Sequence, residues 1–192
     1  WMYIGKNRKN CINNHMSKIL FITGGSKGIG NALVKKYQQE GFIVHSFSRT
    51  ELKNENSVFH HKVDLSDPVK ADAIFNQILS EINFEETTSI LLINNAGTLG
   101  EITTLDKVSP TTIQNAINLN LCTPLAISGS FIKHLKPINM DKRIINISSG
   151  AAKKPYEGWS IYCSSKAGID LATKTIAAEQ NNFEYPVTIN AI

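Results

Sequence analysis

The 192-residue sequence predicts an α/β fold in three layers, with a parallel sheet between two layers of helices. Two observations predict this fold. Short apolar, β-rich runs alternate with longer stretches of helical periodicity, as they do in βαβ units. In addition, the run at residues 89–95 is nearly continuous in apolar character, which is typical of a strand buried on both faces. No repeat or linker divides the chain, so we expect one domain over residues 16–192.

The composition argues against several classes of protein: nucleic-acid-binding, membrane-spanning, disulfide-rich and metal-binding proteins. The formal charge of +4 comes largely from the acid-free residues 1–15, and the remainder is nearly neutral, which argues against a nucleic-acid surface. No stretch approaches the roughly 20 apolar residues that span a bilayer. The three cysteines and five histidines have no ligand spacing, so we expect neither a disulfide framework nor a metal site. A protein of the reducing cytoplasm fits this cysteine usage.

Residues 1–15 are polar, rich in Asn and without helix or strand period. They lack the apolar run of about 7–15 residues that a secretory signal needs. Met16 stands three residues before an apolar run that begins at Ile19, as at a natural protein start followed by a buried strand. We therefore expect residues 1–15 to be an appended or disordered segment, and a short flexible arm is the alternative.

The first predicted strand, Ile19–Thr23, leads through a glycine-rich turn into a predicted helix at 28–40. Glycines in such a turn let the backbone approach a pyrophosphate, which the N-terminus of the helix then attracts. A plain tight turn is the alternative, but the strand before it and the helix after it favour a Rossmann-type dinucleotide site. The cofactor residues predicted here are Gly24, Ser26, Lys27, Gly28, Ile29 and Gly30.

The end of the second strand, Ile43–Phe47, indicates which nicotinamide cofactor is used. An acidic residue there would accept the ribose hydroxyls of NAD. This chain instead has Ser48 and Arg49, and a guanidinium pairs well with a 2′-phosphate. Lys27 adds a second cation. The prediction is NADP(H), and a solvated surface charge is the alternative for Arg49.

Two further strands complete the predicted cofactor site. The third, Val58–Val63, is followed by Asp64 and Leu65, where the carboxylate can accept from the adenine amino group or cap the helix predicted at 68–82. The fourth, Ile90–Asn94, ends where open α/β sheets bind ligands. Its asparagines can tie neighbouring strands together, and the cofactor residues predicted after it are Asn95, Ala96 and Gly97.

The remaining elements are a helical stretch at 111–136, a strand at 143–148, a helix at 159–181 and a strand at 187–191. Ser109 and Pro110 are a helix-start signal, with Ser as the N-cap and Pro at the first helical position. Pro124 lacks the N–H that a helix interior needs. We therefore expect a kink or break near residues 120–123.

Tyr162 and Lys166 lie four residues apart on the last predicted helix and so share one face. A nearby ammonium stabilises a phenolate and lowers the tyrosine pKa, which suits a general acid near neutral pH. Ser149 leaves the fifth strand and can donate a hydrogen bond to a substrate carbonyl. Ser148 should point to the other face of the strand. These groups suit the reduction of a ketone.

The motifs TGxxxGxG at 23–30, NNAG at 94–97, Ser149 and YxxxK at 162–166 together resemble the short-chain dehydrogenase/reductase family. Residues 149–170 are similar to the bacterial benzil reductases and to the sepiapterin reductases. The resemblance implies a doubly wound Rossmann sheet, NADP(H) and reduction of a small-molecule carbonyl. It makes Tyr162 the acid and Lys166 also a ligand of the nicotinamide ribose. Asn120 would hold a proton-relay water, with Asn118 as the alternative registration.

The other reactive side chains near Tyr162 receive no catalytic role. Cys163 lies about 100° around the helix from Tyr162, and Ser164 and Ser165 suit close helix packing. Lining of the cofactor side is the alternative for Ser165, which lies three residues after Tyr162. Tyr156 and Trp159 lie between Ser149 and Tyr162, where they can form an aromatic wall for the substrate or simply pack within the loop.

Members of this family continue beyond the position of Ile192 with a Pro-Gly turn, a substrate lid and a last strand. We therefore expect a C-terminally truncated domain, and a non-catalytic dinucleotide-binding remnant is the competing function. The resemblance also implies a homodimer or homotetramer, paired through the helices predicted at 111–136 and 159–181.

Overall fold

A computed structural model of the protein describes residues 16–51 and 57–192. The predicted fold class is confirmed, because six parallel strands form one sheet in the order β3-β2-β1-β4-β5-β6. The strands are β1 Ser17–Thr23, β2 Ile43–Ser48, β3 Val58–Lys62, β4 Thr87–Asn94, β5 Asp141–Asn146 and β6 Thr188–Ala191. The prediction for residues 1–15 lies outside the described residues.

Five α-helices flank the sheet in the part of the chain that the structure describes. They are α1 Gly28–Gln39, α2 Pro68–Ser80, α3 Pro110–Ile117, α4 Thr123–Leu135 and α5 Ser160–Gln180. None of the helices described is long and apolar enough to cross a membrane.

The side chains of the central strands alternate between two apolar clusters, one on each face of the sheet. Phe21 of β1 packs with Phe75 of α2 and Phe131 of α4 on one face. Leu20, the preceding residue, packs with Val34 of α1 on the other. All five of these side chains are at most 4% exposed. Burial on both faces explains why the strands are apolar without alternation.

Successive strands are added on opposite sides of β1 in the two halves of the chain, so the strand order reverses between β1 and β4. The first three strands run outward from β1 to β3, and the next three run the other way from β4 to β6. In open parallel sheets the crevice at the carboxyl ends of the two strands at such a reversal is where ligands bind. The fold therefore places its ligand crevice beside Thr23 and Asn94.

The predicted break in the fourth helical stretch is confirmed and has a defined form. A π-helical segment, Asn118–Cys122, separates α3 from α4. Pro124 stands at the start of α4, where it has no N–H to donate to the carbonyl of Asn120 four residues earlier. The predicted start of α3 is also confirmed, because the Ser109 hydroxyl accepts from Thr112 N at 3.1 Å and Pro110 follows it.

Candidate active site

The glycine-rich turn between β1 and α1 is shaped by three glycines with different tasks. Gly24 and Gly28 have left-handed backbones, with φ of +70° and +55°. A Cβ on Gly30 would lie 2.2 Å from the carbonyl oxygen of Gly24, so only glycine allows the helix to start this close to the turn. Lys27 is the N-cap of α1 and makes no side-chain capping bond. The first N–H groups of α1 therefore face the crevice for an anion to bind.

Gly25 has a structural task that the sequence prediction missed. A Cβ at this position would lie 2.3 Å from Ser46 Oγ on β2 and 2.9 Å from a methyl group of Val34. The glycine thus lets the turn pack directly onto the second strand. The two adjacent glycines at positions 24 and 25 were the only sequence signal for this task. The reason for the second glycine is its close contact with Ser46, twenty-one residues further along the chain.

A cavity of about 520 Å³ occupies the crevice at the carboxyl ends of the strands. It is lined by every cofactor residue predicted outside α5, from the glycine turn, from the end of β2, and from the segments after β3 and β4. Four lining residues were missed by the sequence prediction: Thr50, Val63, Thr98 and Leu119. They follow or flank predicted positions, so only the three-dimensional arrangement reveals them.

The end of β2 and the segment after β3 present opposite charges to this cavity. Arg49 is exposed, and the preceding Ser48 is held by a bond from its hydroxyl to Thr50 O at 2.9 Å. Asp64 Oδ1 accepts from Ser66 N at 3.0 Å and from Ser66 Oγ at 2.9 Å. These two bonds, with a smaller contribution from Arg49, lower the pKa of Asp64 below its ordinary value.

The capping alternative for Asp64 is wrong. The N-cap of α2 is Asp67, whose side chain accepts from Lys70 N at 3.0 Å. Asp64 instead forms a local turn with Ser66 and lines the cavity. The cap lies closer to Pro68 than Asp64 does, which is the usual spacing for Pro at the first helical position.

The asparagines at the end of β4 and directly after it fasten the sheet where the cavity opens, as predicted. Asn94 is buried and donates to Asn146 Oδ1 on β5 at 2.7 Å and to Ser128 Oγ on α4 at 3.1 Å. Asn95 Nδ2 donates to Thr23 O at 3.0 Å, while the Thr23 hydroxyl accepts from Asn95 N at 3.0 Å. The two strands at the crevice are therefore fixed relative to each other.

Lys166 lies almost fully buried, and its position relative to Tyr162 is well defined. Its Nζ donates to Ile147 O at 2.7 Å and lies 5.6 Å from the centre of the Tyr162 ring. Burial lowers the pKa of Lys166 below its ordinary value, and the nearby carboxylate of Asp170 opposes that shift. A Cβ placed on Gly97 would be 3.7 Å from this Nζ. The lysine therefore meets the cavity at Gly97.

Ser149 and Ser148 point in different directions, as predicted. Ser149 Oγ accepts from Ala151 N at 3.1 Å, at the start of a short 3-10 helix. That bond uses an acceptor site of the hydroxyl and leaves its proton for another partner. Ser148 Oγ instead donates to Asp170 of α5.

Asn120, rather than Asn118, lies against α5. Asn120 Oδ1 accepts from Thr98 N at 2.9 Å, and its Nδ2 donates to Thr98 O at 2.8 Å and to Ser165 Oγ at 3.1 Å. Asn118 Nδ2 donates to Ser66 O, on the other side of the π-helical segment. Ser165 Oγ in turn donates to Tyr162 O at 2.8 Å. Ser165, predicted to pack closely or to line the cofactor side without a catalytic role, thus connects Asn120 to the helix turn of Tyr162.

Three aromatic rings form a row that leads from the surface to Tyr162. Tyr156 and Trp159 have ring centres 5.2 Å apart, and Trp159 meets Tyr162 edge-on at 5.7 Å. Gly158, with a left-handed φ of +78°, lies between Tyr156 and Trp159 in the chain and packs against Ile102, which is 61% exposed. The apolar face of Ile102 was not predicted, because it comes from the loop after β4.

The remaining side chains of this region turn away from the Tyr162–Lys166 pair. Cys163 Sγ lies 3.8 Å from Lys154 O, and Ser164 Oγ donates to Ser160 O at 2.7 Å within α5. Among the residues that the structure describes, no group of three His, Cys, Asp or Glu side chains is arranged to hold a metal ion.

Several known proteins are similar to this chain in sequence. A family profile described as short chain dehydrogenase matches residues 18–192. A benzil reductase ((S)-benzoin forming) of Bacillus cereus is 39% identical over 183 residues, covering 91% of this chain and 73% of that protein. A sepiapterin reductase of Meriones unguiculatus is 29% identical over 180 residues, covering 84% of this chain and 69% of that protein.

Solved structures share the fold. A short-chain dehydrogenase/reductase of Burkholderia vietnamiensis superposes with a TM-score of 0.83 at 25% identity, covering 93% of this chain and 83% of that one. A 4-hydroxyisoleucine dehydrogenase complexed with NADH gives 0.79 at 26% identity, with coverages of 91% and 74%. A metagenomic short-chain oxidoreductase in complex with NADP gives 0.79 at 25% identity, with coverages of 93% and 81%.

Proposed function

The chain belongs to the short-chain dehydrogenase family and is an oxidoreductase, and from this premise we propose that it is an NADPH-dependent carbonyl reductase. Its proposed substrate is a ketone or 1,2-diketone, resembling benzil or the side-chain carbonyl of a pterin. The observation that carries the proposal is the Tyr162–Lys166 pair, whose ammonium lies 3.7 Å from the position of a Cβ on Gly97, a residue that lines the cavity.

The cavity fits a dinucleotide in shape and in donor chemistry. A Cβ on Gly24 or Gly30 would press on neighbouring protein atoms, so these glycines keep the turn tight, and the N-terminus of α1 offers backbone N–H groups to a pyrophosphate. Asp64 would accept from the adenine amino group. NADPH, when bound, would supply the hydride.

The proposed proton chemistry uses four residues of this chain. The Tyr162 hydroxyl gives its proton to the carbonyl oxygen of the substrate, while the Ser149 hydroxyl donates a hydrogen bond to the same oxygen. The Lys166 ammonium stabilises the phenolate left on Tyr162. Asn120 holds the π-helical segment against Thr98 and α5, beside the route by which Tyr162 regains a proton.

The choice of NADPH over NADH rests on Arg49. Its guanidinium lines the cavity at the end of β2, where it can pair with a 2′-phosphate in a bidentate geometry. The related structures contain either cofactor, so this chain's own residues must decide. Arg49→Ala should weaken NADPH binding about 10- to 100-fold and leave NADH binding nearly unchanged, as expected for a charged hydrogen bond. Lys133→Ala, which removes an exposed cation of α4, is the matched control. Equal losses for both cofactors in Arg49→Ala would contradict the assignment.

The proposed substrate class rests on the row formed by Tyr156, Trp159 and Tyr162. An aryl ketone or diketone can lie against these rings with its carbonyl at the Tyr162 hydroxyl. The names of the benzil and sepiapterin reductases support the same class.

The test follows the loss of NADPH absorbance with benzil as substrate. Tyr162→Phe should abolish turnover while NADPH still binds, and Tyr37→Phe, the same change on α1, should retain activity. Binding of NADPH without turnover of benzil or other diketones by the wild-type chain would favour a non-catalytic dinucleotide-binding protein instead.

We extend the proposal to a homodimer or homotetramer that pairs through α4 and α5. Leu171 of α5 is 67% exposed, and Leu125 of α4 is 36% exposed. Leu171→Glu should shift the protein to a smaller species in sedimentation velocity if α5 forms the contact. Gln39→Glu, at an exposed position of α1, shows whether the added charge alone acts.

A further inference from the structure

The segment that carries Ser149 is held by bonds to two other elements. Ile147 O accepts from Lys166 Nζ of α5, and Ser148 N donates to Ile192 O at 2.7 Å. The Ser148 hydroxyl donates to a carboxylate oxygen of Asp170. Because Ser149 follows directly, these three bonds fix the direction from which its own hydroxyl reaches a substrate.

Asp170 connects this segment to Lys166. It lies four residues after Lys166 on α5, hence on the same face of the helix and one turn further along. Its carboxylate is half-buried, accepts from Ser148, and interacts favourably with the buried ammonium. On α5 the Tyr162 ring lies one turn before this ammonium, and Asp170 lies one turn after Lys166.

We propose that Asp170 is a positioning residue for the carbonyl reduction inferred above: its carboxylate fixes Ser148 and provides the charge partner of Lys166. The proposal rests on the proposed function for its catalytic meaning. Asp170 is too far along α5 to share the turn of Tyr162, so it acts through Ser149 and Lys166 rather than on the substrate.

Three variants separate the charge of Asp170 from its hydrogen bond. In Asp170→Asn the amide oxygen can still accept from Ser148, so the charge alone is removed. In Ser148→Ala the hydrogen bond alone is removed, and in Asp170→Ala both are removed. Glu179→Gln is the matched control, because it removes one negative charge from an exposed position near the other end of α5.

The kinetic expectation differs between the variants. Asp170→Asn should move the alkaline limb of the kcat-versus-pH profile for benzil down by about one pH unit, the effect of losing a nearby opposite charge. Its KM and melting temperature should stay close to those of the wild type. Ser148→Ala should lower kcat about 5- to 10-fold at every pH without moving the limb. Asp170→Ala should show both changes.

A second measurement does not depend on activity. In protein labelled with ¹³C-lysine, the Cε signal of Lys166 is assigned by its loss in Lys166→Met and is then titrated. We expect the titration in Asp170→Asn to lie about one pH unit below that in Glu179→Gln. Identical titrations in the two variants overturn the proposal, and so does a Ser148→Ala enzyme with wild-type kcat. If the wild type reduces no carbonyl while the Lys166 titration still shifts, the proposed function fails and the role of Asp170 toward Lys166 stands.

Discussion

Acid should destabilise the β2–β3 edge of the sheet through His45. This residue lies on β2 with its ring stacked between Phe21 and Phe59, at ring-centre distances of 5.0 and 5.3 Å. Its Nδ1 lies 3.0 Å from Nε2 of His61 on β3, so one of the two nitrogens must donate and the other accept. Burial, with a smaller effect from His61, lowers the pKa of His45 to about 4.

The sign and size of the effect follow from linkage. In the unfolded chain histidine binds a proton near pH 6.5, whereas folded His45 does so only near pH 4. The free energy of unfolding therefore falls as the pH drops through this window, by about 2 kcal/mol at pH 5 and about 3 kcal/mol at pH 4. Burial of His61 lowers its pKa in the same direction, so the loss can only grow.

Urea unfolding at pH 7.5 and pH 5.0 measures this loss. His45→Phe keeps an aromatic ring between Phe21 and Phe59 and removes the titrating group, so its loss between the two pH values should be about 2 kcal/mol smaller than that of the wild type. His134→Gln, which changes a histidine of α4 instead, should retain the wild-type loss. A His45→Phe variant that loses as much stability as the wild type would refute the reasoning.

Three further predictions concern single side chains. Gly30→Ala should abolish detectable NADPH binding in a fluorescence titration while the chain stays folded by circular dichroism, because the new Cβ would lie 2.2 Å from Gly24 O. Lys142→Met should lower the free energy of unfolding in urea by roughly 3 kcal/mol, because three main-chain carbonyls within 2.9 Å of the buried ammonium lose their donor. Gly158→Ala should raise KM for benzil several-fold with little change in NADPH affinity, since a Cβ at φ +78° is strained by about 1–2 kcal/mol and presses on Ile102.

The sequence predicted the sheet well because the strands are buried on both faces, and such strands are recognisable as apolar runs without reference to partners. The ends of the helices and strands were predicted less accurately than their positions in the chain. Residues 87–89, for example, belong to β4 although the prediction began at Ile90. Thr87 is buried and bonded to Ser17 across the sheet, a contact that local pattern does not contain.

The break after α3 has one cause that is local in sequence and one that depends on distant residues. Pro124 alone is enough to predict a break, because the lost N–H is a property of that residue. The π-helical form of the break depends on Asn120 reaching Thr98, twenty-two residues earlier, and Ser165 on α5. No local periodicity encodes those bonds.

In the candidate site, motif residues could be predicted, and the contacts that hold them in place could not. Tyr162 and Lys166 are visible as a pair because helix geometry fixes their relation. Asp170 continues the same helix face and could have been found by extending the spacing by four residues. Its link to Ser148 depends on where β5 ends relative to α5, which only the tertiary structure determines.

The bonds of Asn120 limit what it can do in proton transfer. Its Oδ1 accepts from Thr98 N, and both N–H groups of Nδ2 are used by Thr98 O and Ser165 Oγ. Both donors of the side chain are therefore used, and only the second lone pair of Oδ1 is left for a water molecule. Its main-chain carbonyl is different, since Pro124 has no N–H to donate to it. If Asn120 serves a proton relay to Tyr162, we therefore infer that its main-chain oxygen holds the water, while its side chain keeps the π-helical segment in place.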